Sequence, residues 1–599
     1  MNERRTDIEK GNYMEKWIET RKGADFFALA QKFNIDPVTA RLIRNRDVVG
    51  EEEMQEYLHG TKDSLHNPKK MKNLELAAGI MADKIKEGKS IRIIGDYDID
   101  GVNASYILYK GILRCHGDVS LQIPDRLKDG YGINENLIQE AKDEGIDTII
   151  TCDNGIAALD AIAFAKKLQM TVLVTDHHDI PYEETDGIKN YLQSNADAIV
   201  NPHQPGCEYP FKELCGAAVA WKFILVLYEL FSVPEEEGFS FIENAAFATI
   251  GDVMDLKGEN RLIVRLGLER IHHTQNEGLK ALILQNKLEI DKVSSYHIGF
   301  VLGPCMNASG RLDTAKRSFD LLKAQTPEQA SLLASDLIGL NDSRKSMTLA
   351  YLENAYEVIE QEKRFLDKVI IVYLKDCHES LAGIIAGRIR EKYNHPVFVL
   401  TKGEESVKGS GRSVEAYSMY EEMVKCKELF LKFGGHPMAA GLSIEEKNIE
   451  VFREKLNQNC TLKEEDFAPI VHIDVAMPIS YVTMQFAEQL DLLEPYGKGN
   501  TKPVFADKNI GISFAKEMGK NHRALRLELV NDSQQKFQGV YFGETADFFA
   551  YVEDKFGNEE RVKMEKGLPN DIRLSIVYYP KINEYNGNRN LQIVISRYR

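Results

Sequence analysis

The sequence predicts an α/β protein of several domains: a parallel-sheet domain joined by long helices to a second α/β domain, followed by a small C-terminal β-barrel. Three observations carry this. Short apolar runs alternate with amphipathic stretches from about residue 70; residues 313–363 are dense in Leu, Ala, Glu and Lys; and positions after about 465 alternate apolar and polar between Asn-, Asp- and Gly-containing turns. At about 150 residues per domain, 599 residues leave room for roughly four cores.

Taken in order, residues 1–60 read as a polar helical segment with periodic apolar positions at 26–29 and 38–43. Residues 61–320 hold apolar runs at Ile91–Ile94, Val119–Ile123, Thr148–Thr151, Thr171–Thr175 and Ala198–Val200, each followed by a helical pattern, which is the signature of βαβ units. Residues 321–365 read as connecting helices, and 366–462 as a second α/β unit with runs at Val369–Leu374 and Val397–Leu400 and a Gly-rich stretch from Gly434 to Gly441. Residues 463–599 read as the barrel, with Tyr541 and Phe542 as core positions.

Composition narrows the function. Hydrophobic residues at 43% and charged residues at 28% exclude collagen-like, low-complexity and wholly disordered chains. A net charge of 75 − 92 = −17 argues against coating nucleic acid by bulk charge and leaves room only for a local basic groove. The N-terminus is too charged for a signal peptide, and the longest apolar stretch, 217–231, is broken by Lys222 and Glu229, so no membrane association is expected. Eight cysteines without a CxxC pair read as reduced thiols, and a cytoplasmic location is expected.

The chemistry lies where strands end. Ile94 runs into Gly95-Asp96-Tyr97-Asp98-Ile99-Asp100-Gly101, Cys152 into Asp153-Asn154-Gly155, and Thr175 into Asp176-His177-His178. In a parallel sheet those ends lie side by side at the carboxyl edge, where open α/β folds place ligands. A single Asp after a strand is ordinarily a helix N-cap or a turn residue. A row of them would repel unless cations hold them ionised. Oxygen and imidazole donors without thiolate suit two Mn²⁺ or Mg²⁺ ions, and ions about 3.5–4 Å apart can clamp a phosphodiester and activate water. Gly88-Lys89-Ser90 is not a phosphate-binding loop: Asp83 stands where its first Gly is required, and the segment precedes a strand instead of following one. Gly409-Ser410-Gly411-Arg412-Ser413 lacks the third Gly of a dinucleotide fingerprint.

The three strand-end motifs, with Gly251-Asp252, resemble the four motifs of the DHH phosphoesterase superfamily. Gly303-Pro304, Asn307-Ala308 and Gly310-Arg311-Leu312, then Gly434-Gly435-His436-Pro437-Met438-Ala439-Ala440-Gly441, resemble the linking motif and DHHA1 domain of the RecJ family of single-strand-specific exonucleases. Glu494-Pro495-Tyr496-Gly497-Lys498-Gly499-Asn500 and the β-rich tail are similar to the OB-type domain of that family. The resemblance covers nearly the whole chain from about residue 45, in the family's order.

It implies a DHH domain, a DHHA1 domain and an OB-like barrel, acting together to hydrolyse single-stranded DNA from the 5′ end to mononucleotides in repair and recombination. By position, Asp96, Asp98, Asp100, Asp153, His177 and Asp252 are the implied metal ligands, with Asp153 as the bridge. Asp98, Asp153, His177 and His178 are the implied catalytic set; Asn307, Arg311, Ser410, Arg412, Ser413, Gly435 and His436 form the implied substrate grip. For Arg311 and Arg412 the competing reading is an interdomain salt bridge. Expected partners are single-stranded DNA and a single-strand-binding protein or helicase, with the chain a monomer. Three positions depart from the family pattern: Ile94, Asn103 and Ser380. Competing functions are a DHH phosphodiesterase of short oligonucleotides or cyclic dinucleotides, disfavoured by the long tail, and a non-catalytic scaffold, disfavoured because every acid remains.

Overall fold

The computed structural model describes residues 15–125, 132–185, 188–519, 522–585 and 587–599. Its N-terminal segment is not wholly helical. Strand β1 (Lys16–Glu19) precedes helices α1 (Phe26–Phe33), α2 (Pro37–Asn45) and α3 (Glu51–His59). Asp25 and Asp36 cap the first two helices, accepting the N–H groups of Ala28 and Val38. Four residues carry too little pattern to reveal a strand, and β1 is fixed by a partner far along the chain, residues 470–473.

The first large domain is built on β2 (Ser90–Ile94), helix α4 (Ile99–Arg114), β3 (Asp118–Gln122), β4 (Thr148–Cys152), β5 (Thr171–Thr175), a small antiparallel hairpin of β6 (Tyr182–Thr185) and β7 (Ile188–Tyr191), and β8 (Ala198–Val200). Five of these strands form one parallel sheet, in the order β3-β2-β4-β5-β8. All five residues of β4 are buried, as the unbroken apolar runs require when helices cover both faces. Register decides the rest: Ile94 lies opposite Thr151, Cys152 opposite Thr175, and Thr175 opposite Val200. The three acid-bearing strand ends therefore open on one edge. Helices α5 (Gly216–Leu230) and α6 (Ile242–Gly251) pack behind them.

Helix α7 (Gly303–Leu312) leads to α8 (Pro327–Gln361), capped by Thr326 with Pro in its first turn. At about 1.5 Å per residue, α8 is about 52 Å long and joins the two α/β lobes. The second lobe comprises β9 (Ile370–Tyr373), α9 (Ala382–Tyr393), β10 (Val397–Lys402), β11 (Val407–Arg412), β12 (Phe430–His436) and β13 (Ala439–Ile444), in the order β12-β13-β11-β10-β9. Only β9 and β10 run parallel. Helix α9 sets Ile385, Ala386 and Ile389 against Val397 and Val399, covering one face of the sheet on that side.

After β14 (Ile470–Ile473) and β15 (Val475–Ala476), the tail closes into a barrel of β16 (Phe505–Met518), β17 (Ala524–Val530), β18 (Lys536–Phe542), β19 (Arg573–Tyr585) and β20 (Asn588–Tyr598). Neighbours run β16-β17-β18-β20-β19, and β19 pairs back onto β16, the ring expected of an OB-type barrel. Two helices, Thr545–Phe556 and Asn558–Glu565, separate β18 from β19; the alternating pattern of the tail gave no sign of them. Tyr541 packs against the core, but Phe542 is 62% exposed, contrary to its reading as a core residue. The N-terminal helices share this core: Leu42, Ile43, Met54 and Leu58 pack with Phe505, Leu527, Ile576 and Tyr578. Residues from Ile35 to Leu58 thus share one core with the C-terminal barrel. No helix among the described residues is long and apolar enough to cross a membrane.

Candidate metal centre and phosphate cleft

Each acid is held in place by the local fold. Asp98 is the N-cap of α4, its Oδ1 accepting the N–H groups of Asp100 and Gly101 at 2.9 and 3.1 Å. Asp100, fully buried, accepts Gly216 N–H and Ala217 N–H at 2.6 and 2.7 Å, so the start of α5 fixes both of its oxygens. Asp153 adopts the left-handed backbone with φ at 60°, uncommon for a non-glycine residue and a conformation that concentrates at functional sites. The Gly155 that follows is needed at φ 108°, where a Cβ would stand 2.6 Å from Thr151 Oγ1. Asn154 turns inward and donates to the carbonyls of Ile94 and Cys152, tying two strand ends together.

The ligand atoms converge. Asp96, Asp98 and Asp153 form one group, Asp100, His177 and Asp252 a second, and Asp153, His177 and His178 a third; within each group the ligand atoms lie within 4.8 Å of one another. Asp153 belongs to two groups and stands between the first and the third. His177 Nε2 is 3.1 Å from Asp153 Oδ1 and 3.6 Å from Asp100 Oδ2.

The electrostatics call for cations. Burial, then the carboxylates of Asp100, Asp98, Asp96 and Asp252, pushes Asp153 well above the carboxylate range. Burial with Asp100 raises Asp98, and burial with Asp100 and Asp98 pushes Asp252 up to about 8. Burial holds His177 below the ordinary imidazole value, leaving it neutral and able to offer a lone pair. His178 behaves oppositely: burial opposes its charge, but the hydrogen bond to Asp176 together with the carboxylate charges of Asp176, Asp100 and Asp252 outweighs burial and raises it to about 9. A buried oxygen-rich cluster that must otherwise take up protons, with a neutral imidazole and no thiolate, fits hard divalent ions.

Asp176 is the residue that sequence reasoning passed over. Its Oδ1 accepts the N–H groups of His177 and His178 and bonds His178 Nδ1 at 2.8 Å, while Oδ2 accepts Ile156 N–H. It thereby orients both histidines. Its place in the Asp-His-His run was the available signal. The Gly216 and Ala217 amides that grip Asp100 carried none.

The second lobe holds a cleft of about 770 Å³ between α9 and the sheet, lined by Arg311, Gly383, Ser410, Arg412 and Gly434 among others. Arg412 bonds Gly411 O at 2.7 Å and Ser410 Oγ at 3.4 Å, and no carboxylate among the described residues lies within ion-pair distance of it. The salt-bridge alternative thus does not apply to Arg412. Burial, then Arg390, lowers its pKa. The start of α9 approaches the same point: a Cβ on Gly383 would lie 2.9 Å from both Arg412 Nη2 and Ser410 Oγ. Arg311, at the end of α7, donates to Ser380 O at 2.9 Å and so links the lobes.

Not every expected grip residue reaches this cleft. Asn307 Oδ1 accepts Ile99 N–H at 2.9 Å, so it braces the turn that carries Asp98. Ser413 is buried and donates to Tyr417 O, closing its own loop. Gly435, at φ 152°, shapes the β12–β13 hairpin, where a Cβ would strike Ala439 O at 2.5 Å. His436 shares a cross-strand row with Ala439 and Arg412 and is exposed. At the three departures, Ile94 is buried in the strand, Asn103 donates to Ile99 O and accepts from Asn244, and Ser380 serves Arg311 through its backbone carbonyl.

Comparison with known proteins follows the same divisions. The DHH family N-terminal domain matches residues 90–248, the DHHA1 domain residues 366–461, and the RecJ OB domain residues 473–597. The chain is 33% identical over 574 residues to the single-stranded-DNA-specific exonuclease RecJ of Bacillus subtilis, covering 95% of this chain and 69% of that protein. To the protein of the same name from Haemophilus influenzae it is 29% identical over 602 residues, covering 97% and 99%. The crystal structure of RecJ in complex with Mn²⁺ from Thermus thermophilus superposes with a TM-score of 0.79 at 25% identity, covering 98% of this chain and 79% of that one.

Proposed function

This chain belongs to the RecJ family of DHH phosphoesterases, and from that premise we propose how its own residues divide the hydrolysis of single-stranded DNA from its 5′ end. It is a metal-dependent exonuclease specific for single strands. Asp96, Asp98 and Asp153 would hold one divalent ion, Mn²⁺ or Mg²⁺, and Asp100, His177 and Asp252 a second; Asp153 also groups with His177 and His178. Bound there, such ions activate water and stabilise charge on phosphoryl oxygens.

The protein's own groups do the positioning. Arg412, Ser410 and the start of α9 hold the terminal phosphate; Arg311, anchored on Ser380, spans the lobes and sets the distance from that phosphate to the acids. His178, kept protonated by Asp176, presents its Nε2 proton to the phosphate being cleaved. The barrel guides the strand beyond the cleavage point. Together these reduce the chemistry to one bond at a time from one end. We further propose that the protein works as a monomer beside a single-strand-binding protein or helicase, and in the cytoplasm, the compartment that its eight unpaired cysteines suit.

The observation that carries the proposal is the convergence of seven acids and imidazoles from three strand ends and α6 on one edge. With Mn²⁺ and a 5′-labelled single strand, the protein should release labelled mononucleotide and leave blunt duplex intact. Asp153→Ala with His177→Ala should abolish release while strand binding persists. Equal digestion of duplex, or unchanged turnover by the double variant, would reject the proposal.

A further inference from the structure

The cleft does not end at Arg412. Along β11, Lys408, Ser410 and Arg412 share one face, because Gly409 and Gly411 turn toward the core, where their Cβ atoms would strike Leu400 and Phe398. Register extends this into rows across the sheet: Arg412 with Ala439 and His436, Ser410 with Gly441 and Gly434, Lys408 with Ser443 and Lys432. The middle row is nearly bare, since Cβ atoms on Gly434 and Gly441 would meet nothing within 3.8 Å. Lys408 Nζ donates to Ser443 Oγ at 3.1 Å, which confirms the third row, and both lysines line the cleft. Neither has a carboxylate within ion-pair distance among the described residues. The far wall, on α9, is equally open at Gly387.

The result is a glycine-floored channel with cations at both ends, its lining also holding Glu379 and an Arg388–Glu391 ion pair. Its Arg412 end adjoins Gly383 and, through Ser380, Arg311, whose neighbour Gly310 packs on the Tyr97 carbonyl of the first acid motif; its lysine end lies four residues away along the strand, about 13 Å at about 3.3 Å per residue. The lysine end is the one remote from that link to the acid motif, beyond Arg412 and Ser410, where the proposed function seats the terminal phosphate. A strand digested from its 5′ end has no further nucleotide there. What can extend in that direction is additional phosphate on the terminal 5′ oxygen.

Resting on the reading above, we propose that Lys408 and Lys432 form a second anion site for a 5′-polyphosphate end, so that the enzyme accepts 5′-triphosphorylated strands. In the first turnover water adds to the phosphorus of the first internucleotide linkage, the bond from that phosphorus to the 3′ oxygen breaks, and that oxygen takes the proton. The products are a nucleoside 5′-triphosphate and a strand with a 5′-monophosphate, on which digestion continues normally.

The test compares one sequence bearing a 5′-monophosphate or a 5′-triphosphate, with Mn²⁺, in wild type and in Lys408→Gln with Lys432→Gln. Wild type should release nucleoside triphosphate first, and the variant should lose about tenfold or more in kcat/KM on the triphosphate strand alone, staying within about twofold on the monophosphate strand. Resistance of the triphosphate strand to wild type overturns the proposal. So does an equal loss on both strands, which would make the lysines a general backbone contact. Failure of wild type on the monophosphate strand would instead reject the exonuclease reading itself.

Discussion

Gly216 passes so close to Asp153 that a Cβ at position 216 would stand 2.7 Å from Asp153 Cβ and 2.9 Å from its Oδ1, while the Gly216 N–H holds Asp100 at 2.6 Å. One residue without a side chain thus sets the spacing between acids from two different strand ends. Gly216→Ala must displace one of them. The variant is expected to lose about 1–3 kcal/mol of stability by overpacking and most of its Mn²⁺ affinity. Calorimetric titration beside a thermal melt checks this; full affinity at wild-type stability would show that the contact relaxes freely.

Asp176 supports the histidines without belonging to any of the three ligand groups. Asp176→Ala should keep the fold and weaken Mn²⁺ binding about 10–100-fold, as removal of a partner behind a metal ligand does. A titration that superposes on wild type would remove Asp176 from the site.

Arg412 is assigned to the terminal phosphate and not to metal. Arg412→Ala is therefore expected to raise KM for a 5′-phosphorylated strand about 10–100-fold while Mn²⁺ affinity stays as in wild type. Steady-state kinetics with a parallel metal titration separates the roles. A KM equal to wild type would free Arg412 of the grip.

Glu243, in the first turn of α6, is buried, and burial pushes its carboxyl to about 7 against the weaker pull of Thr274, Arg270 and Lys280. In the unfolded chain the same group returns to 4.5. Between those values the unfolded state has released a proton that the folded state still holds, so stability falls as pH rises through this window. Glu243→Gln should stabilise the protein by about 2 kcal/mol more at pH about 8 than at about 5.5. Denaturant melts at the two values decide it, and a gain that does not change with pH would place the carboxyl elsewhere.

The fold was legible where pattern is long and local. Five apolar runs, three of them ending in acids, announced a parallel sheet, and its register then carried Asp96, Asp98, Asp153 and His177 to one edge without further information. What the sequence hid depends on distant partners. Strand β1 exists because residues 470–473 lie beside it, and the N-terminal helices have their apolar face because a barrel more than 400 residues away supplies the other half of the core. In the site the same division holds: the ligands sit in motifs, whereas Asn307 and Ser413 sit in motif positions but spend their side chains on Ile99 N–H and Tyr417 O. Position in a motif assigns a neighbourhood, and only the hydrogen bonds assign the task.

On the proposed function, side chains from Asp96 to Asp252 hold a pair of divalent ions. Crystals soaked in Mn²⁺ and measured at the manganese edge test it most directly. Two anomalous peaks about 3.5–4 Å apart, one on each side of Asp153, are expected. No peak among these residues, or manganese bound only at the protein surface, would contradict the account.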